Sequence, residues 1–323
     1  MSKSAIFILT QDTVERKIYL KTCLYFLFRN FNAKFKYPVI ILVEENYSVN
    51  TKNEIKKCIR AECSNLVSFV TIDKSDFDLP DFIDIDKLNK SIETQPTPYW
   101  RNIRYRLMCR FWLIHFWKYA ANYDYVLRID DDGFIEESIN NDLFKIMDEK
   151  KLIYISNIIH IDCGICCYNM KEFFDETFPE KKEAIKPIFT EAKLPLDNEH
   201  FLKFKKTYEI VEEKVFDKPE FVVNMPLMYY NNFMVTDVRF WLRPDVMELI
   251  DKIDKNGKIF YYRWGDGPLG TIIAMLFEPD KISRTIFKYS KRLQREAHID
   301  DNGNCHAYFP NTYNHTSCIT YKE

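Results

Sequence analysis

Apolar runs that alternate with helix-length segments constrain this chain more than any other feature. Ala5-Ile6-Phe7-Ile8-Leu9 and Val39-Ile40-Ile41-Leu42-Val43 contain no polar residue, and Val67-Ser68-Phe69-Val70-Thr71-Ile72 reads as a third strand. A strand wetted on one face would alternate in polarity, whereas strands apolar at every position are covered on both faces. Residues 14–31 and 52–59, which lie between them, read as helices. This alternation predicts an α/β fold with a mainly parallel central sheet flanked by helices. Further strands are predicted at 125–129 and 153–158, helices at 99–119 and 243–253, and a charged, helix-like insertion at 175–207. No internal repeat or low-complexity linker interrupts the chain, so residues 1–323 read as one domain elaborated in its second half.

The strand at 125–129 runs directly into Asp130-Asp131-Asp132-Gly133. Ligands in such sheets sit at the carboxyl ends of the strands, which is where this cluster falls. Three adjacent carboxylates repel one another and stay together only beside something cationic. A hard divalent ion, Mn²⁺ or Mg²⁺, that also holds a phosphate is the natural candidate. On an extended backbone Asp130 and Asp132 point to the same side, so both could serve one metal–diphosphate group. This is the D-x-D pattern of enzymes that transfer sugars from nucleotide-sugars. On the tripeptide alone, a solvated acidic turn closed by Gly133 is an equal alternative.

Composition narrows the chemistry. The net charge of -2 gives no reason to expect a nucleic-acid partner. Glycine is scarce, 7 residues where average usage would give about three times as many. Neither a Walker loop nor a dinucleotide fingerprint is present, so phosphate recognition must come from metal and side chains. Aromatics reach 16%, which suits both a stacked core and sugar-binding surfaces. Of the nine cysteines, Cys163 and Cys166 form a lone C-x-x-C, read as buried thiols because no second pair stands at zinc-ribbon spacing. The five apolar residues at 5–9 are too few for a signal peptide, and no stretch approaches transmembrane length. The chain therefore reads as soluble as written. It is placed in the cytoplasm, or in a secretory lumen if an anchor has been removed; the sequons at Asn46, Asn89 and Asn314 matter only in the second case.

Two further blocks carry candidate chemistry. In Tyr105-Arg106-Leu107-Met108-Cys109-Arg110-Phe111, Arg106 and Arg110 are four apart and share a helical face. Two guanidinium groups on one face suit bidentate phosphate recognition, or else they snorkel from a packed helix or pair with the Asp130 cluster. In Tyr261-Tyr262-Arg263-Trp264-Gly265-Asp266-Gly267-Pro268, a glycine-flanked turn presents a carboxylate. Tyr262 and Trp264 offer faces on which a sugar could stack, and Asp266 could orient or deprotonate a hydroxyl. A plain connecting turn is the alternative.

These blocks, in this order, resemble glycosyltransferase family 15, the fungal-type α-1,2-mannosyltransferases of the secretory pathway. The matching residues are Phe31 to Pro38 with the strand that follows, Tyr105 to Phe111, Tyr125 to Gly133, Asn232-Phe233 with Asp237, and Tyr261 to Pro268. The resemblance implies a GT-A fold, GDP-mannose as donor, Mn²⁺ as cofactor, retention of anomeric configuration and a glycan or glycoprotein acceptor. It divides the domain into a nucleotide-sugar-binding half, 5–135, and an acceptor-binding half, 136–323. Carried over by position, Asp132, Asp130 and His298, with His306 as the second choice, would hold the metal. Arg106, Arg110, Asp130, Gln11 and Tyr105 would bind the donor, Tyr262, Arg263, Trp264 and Asp237 the acceptor, and Asp266 would be catalytic.

One departure bears on mechanism. The family reads asparagine–phenylalanine–glutamate where this chain has Asn232-Phe233-Met234, so its candidate nucleophile is replaced. A thioether cannot act as a carboxylate nucleophile. The enzyme would then use a front-face route, act on another sugar such as that of a UDP donor, or bind nucleotide-sugar or glycan without transfer. A metal-dependent phosphohydrolase is the remaining rival, and it leaves the Arg263-Trp264-Gly265-Asp266 block unused.

Overall fold

The computed structural model describes residues 2–291 apart from 60, 96–99, 195–198 and 216–220; beyond 291 only three strand backbones are described. A seven-stranded sheet organises the chain. Its order is β11 (Ile282–Arg284), β6 (Tyr154–Ser156), β10 (Phe233–Asp237), β4 (Tyr125–Ile129), β1 (Ser4–Leu9), β2 (Val39–Val43) and β3 (Val67–Thr71). All neighbours pair in parallel except β10, which runs antiparallel to both β4 and β6. The mainly parallel α/β sheet expected from the sequence is therefore present.

Period-two geometry explains why the strands are apolar throughout. Ala5, Phe7, Ile40, Leu42, Val126 and Met234 feed the core on one face of the sheet. Ile6, Ile8, Val39, Ile41, Leu127 and Val235 feed the core on the other. Successive side chains point to opposite faces, and both faces are covered, so neither can be polar.

Helices differ from expectation in detail. The first runs Val14–Leu27, started by the Thr13 side chain accepting from the Arg16 amide, and passes into a π turn at Phe28–Asn32. The long aromatic helix is Ile103–Arg110, a π turn at Phe111–His115, then Phe116–Ala120. The supposed helical insertion at 175–207 is instead mixed. It contains β8 (Phe189–Leu194), which pairs with β9 (Phe221–Tyr229), and β9 also pairs with β7 (Ile159–Ile161). Charged residues on an exposed strand and a solvated helix look alike in composition, so the insertion's strand had no distinctive signal. A short ribbon joins β5 (Gly133–Ile135) to β12 (Tyr289–Lys291). Past it, β13 (Glu296–Ile299), β14 (Cys305–Pro310) and β15 (Thr316–Tyr321) pair antiparallel. Among the described residues no helix is long and apolar enough to cross a membrane.

Candidate active site

A cleft of about 740 Å³ opens at the carboxyl ends of β1 and β4. Its volume falls within the roughly 300–1,000 Å³ of ligand pockets. Leu9, Thr10 and Gln11 at the end of β1 line one side, with Arg16 from the first helical turn. Tyr105, Met108 and Trp112 form an apolar wall. The floor is Arg128 with Asp130, Asp131 and Asp132, and the far side brings Asn231, Arg263, Asp266 and Lys291.

The acids turn sharply where β4 ends. The Asp130 amide donates to Asn232 O at 3.0 Å, and the Gly133 amide returns to Asp130 O at 2.9 Å. Gly133 is required here, because a Cβ would come within 2.2 Å of the Tyr289 hydroxyl oxygen. The repulsion anticipated among the three carboxylates is met by three side-chain cations. Arg16 Nη1 lies 2.7 Å from Asp131 Oδ1 and 3.4 Å from Asp132 Oδ2. Lys291 Nζ lies 2.7 Å from Asp130 Oδ2 and 3.7 Å from Asp132 Oδ1. Arg128 bridges Asp130 at 3.3 Å and Asp266 at 2.5 Å, with its guanidinium 4.0 Å from the centre of the Trp112 ring.

These partners split the acids. Burial pushes Asp130 up, but Lys291 and then Arg128 outweigh it and bring its carboxyl down to about 2. Burial pushes Asp131 up to about 7 even though Arg16 and the Thr10 hydroxyl, 2.7 Å away, oppose it. Asp266 begins the Asp266–Phe277 helix, where a carboxylate is favoured by the exposed amides. Its Oδ2 accepts from Arg128 and, at 2.6 Å, from the Asn231 side chain. Gly267 lets this turn pack closely, since a Cβ would meet Met228 Sδ at 2.6 Å. Just before it, Arg263 holds a left-handed φ of 73°, a strained conformation for a residue with a side chain. Its guanidinium lies 5.8 Å from the Tyr105 ring centre.

Of the residues nominated from sequence, Gln11, Tyr105, Asp130, Asp132, Arg263 and Asp266 line the cleft. Six others do not. Arg106 is buried and donates to Phe260 O at 2.5 Å, Gln95 Oε1 at 2.6 Å and Arg101 O at 3.3 Å. Arg110 makes a two-pronged pair with Asp254, both bonds 2.8 Å. The helical face they share looks away from the acids. Tyr262 and Trp264 are fully buried, the first donating to Glu212 and the second to Tyr168 O, so neither can stack on a sugar. Asp237 pairs across from Tyr125, at the opposite end of β4, and is held by Arg239. Met234 sits opposite Arg128 in the sheet and is buried in the core. His298 falls on β13, and its side chain lies outside what is described. Sequence reasoning missed Arg16, Lys291 and the role of Arg128. Only Arg128 had a signal, a charge inside an otherwise apolar strand.

Carboxylate oxygens are the donors a hard divalent ion takes, so Asp130 and Asp132 fit Mn²⁺ or Mg²⁺ in type. Among the described residues no group of three His, Cys, Asp or Glu side chains is arranged to hold a metal. Asp130 and Asp132 are the two carboxylates that would hold such an ion.

A family model described as glycolipid 2-alpha-mannosyltransferase matches residues 2–320. The glycolipid 2-alpha-mannosyltransferase 2 of Candida albicans is 29% identical over 259 residues, 78% of this chain and 50% of that protein. The alpha-1,2 mannosyltransferase KTR1 of Saccharomyces cerevisiae is 28% identical over 253 residues, 76% of this chain and 58% of that one. The chain thus spans about half the length of the curated relatives it matches. Among solved structures, the S. cerevisiae mannosyltransferase Ktr4p in complex with GDP aligns with a TM-score of 0.72 at 20% identity, over 91% of this chain and 72% of that one. Core-mannan synthase A (CmsA/Ktr4) of Aspergillus fumigatus, in a Mn/GDP form, aligns at 0.71 and 19%, over 92% and 76%. These two likenesses establish the GT-A-like fold. On the extent of the family match, the chain belongs to glycosyltransferase family 15.

Proposed function

We propose that this chain is a glycosyltransferase that moves mannose from GDP-mannose, with retention, to a glycan or glycoprotein acceptor. The observation that carries the reading is the arrangement of Asp130, Asp132 and Asp266 around one cleft at the carboxyl ends of parallel strands, with the buried Arg128 joining Asp130 to Asp266. Family membership, and relatives whose names are mannosyltransferases, support the same choice.

The diphosphate of the donor would lie against Arg16 and Lys291, whose positive charge stabilises the departing nucleotide. Asp130 and Asp132 would hold Mn²⁺, which when bound supplies Lewis-acid stabilisation to the leaving group. Arg128 and Asn231 fix Asp266 by donating to its carboxylate. So held, Asp266 is placed to orient the acceptor hydroxyl and take its proton. Tyr105, Met108 and Trp112 exclude water from that encounter. Met234 is neutral and buried, so no carboxylate there can form a covalent glycosyl intermediate. The hydroxyl then enters on the face the diphosphate leaves, and configuration is retained. The same reading makes residues 1–323 one catalytic domain, and a secretory lumen its working compartment.

The test is a screen of nucleotide-sugars for nucleoside diphosphate release, with and without Mn²⁺, on a mannoside acceptor. GDP release from GDP-mannose that vanishes in Asp132→Ala supports the reading. Release from a UDP-sugar replaces the donor. Silence with every donor, alongside GDP binding, makes this a scaffold that binds without transferring.

A further inference from the structure

Lys291 reaches the acids through a specific route in the fold. Gly133 follows them directly, and its missing side chain lets Tyr289 approach. The Tyr289 hydroxyl donates to Asn232 O at 3.0 Å, pinning β12 beside the turn. In that register Lys291 pairs with Gly133, so its side chain starts next to the carboxylates. Its Nζ then sits 2.7 Å from Asp130 and 3.7 Å from Asp132, with the Tyr230 ring centre 5.7 Å away. These are the two carboxylates a divalent ion would need. An ammonium group and a doubly charged ion a few ångströms apart repel strongly, so both cannot occupy the pair together. Arg16 does not stand in the same relation, because its shorter contact is to Asp131.

We propose that Lys291 is the resident counter-cation of Asp130 and Asp132, that it competes with a divalent ion for them, and that it lets the cleft bind a nucleoside diphosphate without metal. The inference rests on the transferase reading only for the choice of a diphosphate ligand. With Lys291 on the acids, the pair is neutralised and the cleft accepts phosphate without repulsion. When an ion takes the pair, the flexible lysine stem swings to the phosphates instead. A lysine is suited to this exchange because it is a compact point charge with rotatable donors.

The test uses the full chain and two binding readouts, neither of which depends on turnover. Free Mn²⁺ is followed by electron paramagnetic resonance without nucleotide, and GDP affinity is measured by calorimetry in EDTA and in Mn²⁺. Lys291→Met is expected to bind Mn²⁺ at least about tenfold more tightly, since the competing charge is gone. In EDTA the same variant is expected to lose about tenfold in GDP affinity, with Mn²⁺ restoring it. Lys291→Arg keeps the charge and follows the wild type in both assays, which separates charge from packing; melting curves confirm that both variants fold. Equal Mn²⁺ affinities in wild type and Lys291→Met overturn the role of Lys291 alone. Wild-type GDP binding abolished by EDTA overturns the metal-free half. No GDP binding under any condition overturns the diphosphate half and the transferase reading with it, whereas the Mn²⁺ titration stands independently.

Discussion

Two sets of basic residues have opposite fates. Arg106 and Arg110 sit on the Ile103–Arg110 helix at a spacing that suggests a phosphate clamp, yet each is consumed by fixed partners of the fold. Arg128, Lys291 and Arg16 come from three unrelated elements, and each spans two carboxylates at one cleft. A cation whose partners are backbone carbonyls, a neutral amide or a single acid away from the cleft is structural. A cation shared between acids that face a cleft holds them ready for a ligand, because the ligand can replace part of what it binds.

The largest expected effect is on the cleft side. Asp266→Asn should slow sugar transfer by about 100-fold, the usual scale for a misplaced acid–base group, while GDP affinity changes by less than about threefold. Steady-state kinetics with a calorimetric titration check this; a loss confined to GDP affinity would move Asp266 to the donor side. On the helix side the effect should fall on stability. Arg106→Met leaves Phe260 O and Gln95 Oε1 without their donor, and should cost about 3 kcal/mol in denaturant unfolding. GDP affinity should stay at the wild-type value, and a parallel loss of affinity would erase the distinction between the two sets. Smaller still, a double-mutant cycle on Arg110 and Asp254 should give a coupling of about 1–2 kcal/mol in stability. No coupling should appear in turnover.

The strands and the acid turn were legible in the sequence for a physical reason. A strand buried on both faces must be apolar throughout, so Asp130 to Asp132 stand out where β4 ends. Asp266 was legible because glycines on both sides mark a turn where the backbone packs closely. Orientation was not legible. Spacing of four places Arg106 and Arg110 on one helical face but does not say what that face meets. Tyr262 and Trp264 fit a core as well as a sugar platform, and the core took them. Lys291 lies on a three-residue strand, too short for any periodicity, and reaches Asp130 only through pairing with β5. Like charges do require a cation, but the fold supplies its own from places the sequence does not connect.

The smallest effect concerns Arg263, at the edge of the cleft. Arg263 lines the cleft and also faces the Cys163–Cys166 turn. Hydrogen bonding from Cys166 holds the Cys163 thiol down to about 7, against the pull of burial, with Arg263 adding to the effect. Alkylation of Cys163 by iodoacetamide should therefore rise with pH around a midpoint near about 7, where an ordinary cysteine would need about 8.5. In Cys166→Ala the midpoint should move back up. A midpoint unchanged by that variant would assign the shift to Arg263 instead.

The most direct test of the central claim is hydrogen–deuterium exchange of the wild-type chain with and without GDP. Peptides covering residues 10–16 and 128–134 should gain protection, because they carry Arg16 and the acids. Peptides covering residues 249–257, which hold Asp254 behind Arg110, should exchange unchanged. Protection confined to the Asp254 side, or absent from residues 128–134, would contradict the assignment of the cleft as the nucleotide site.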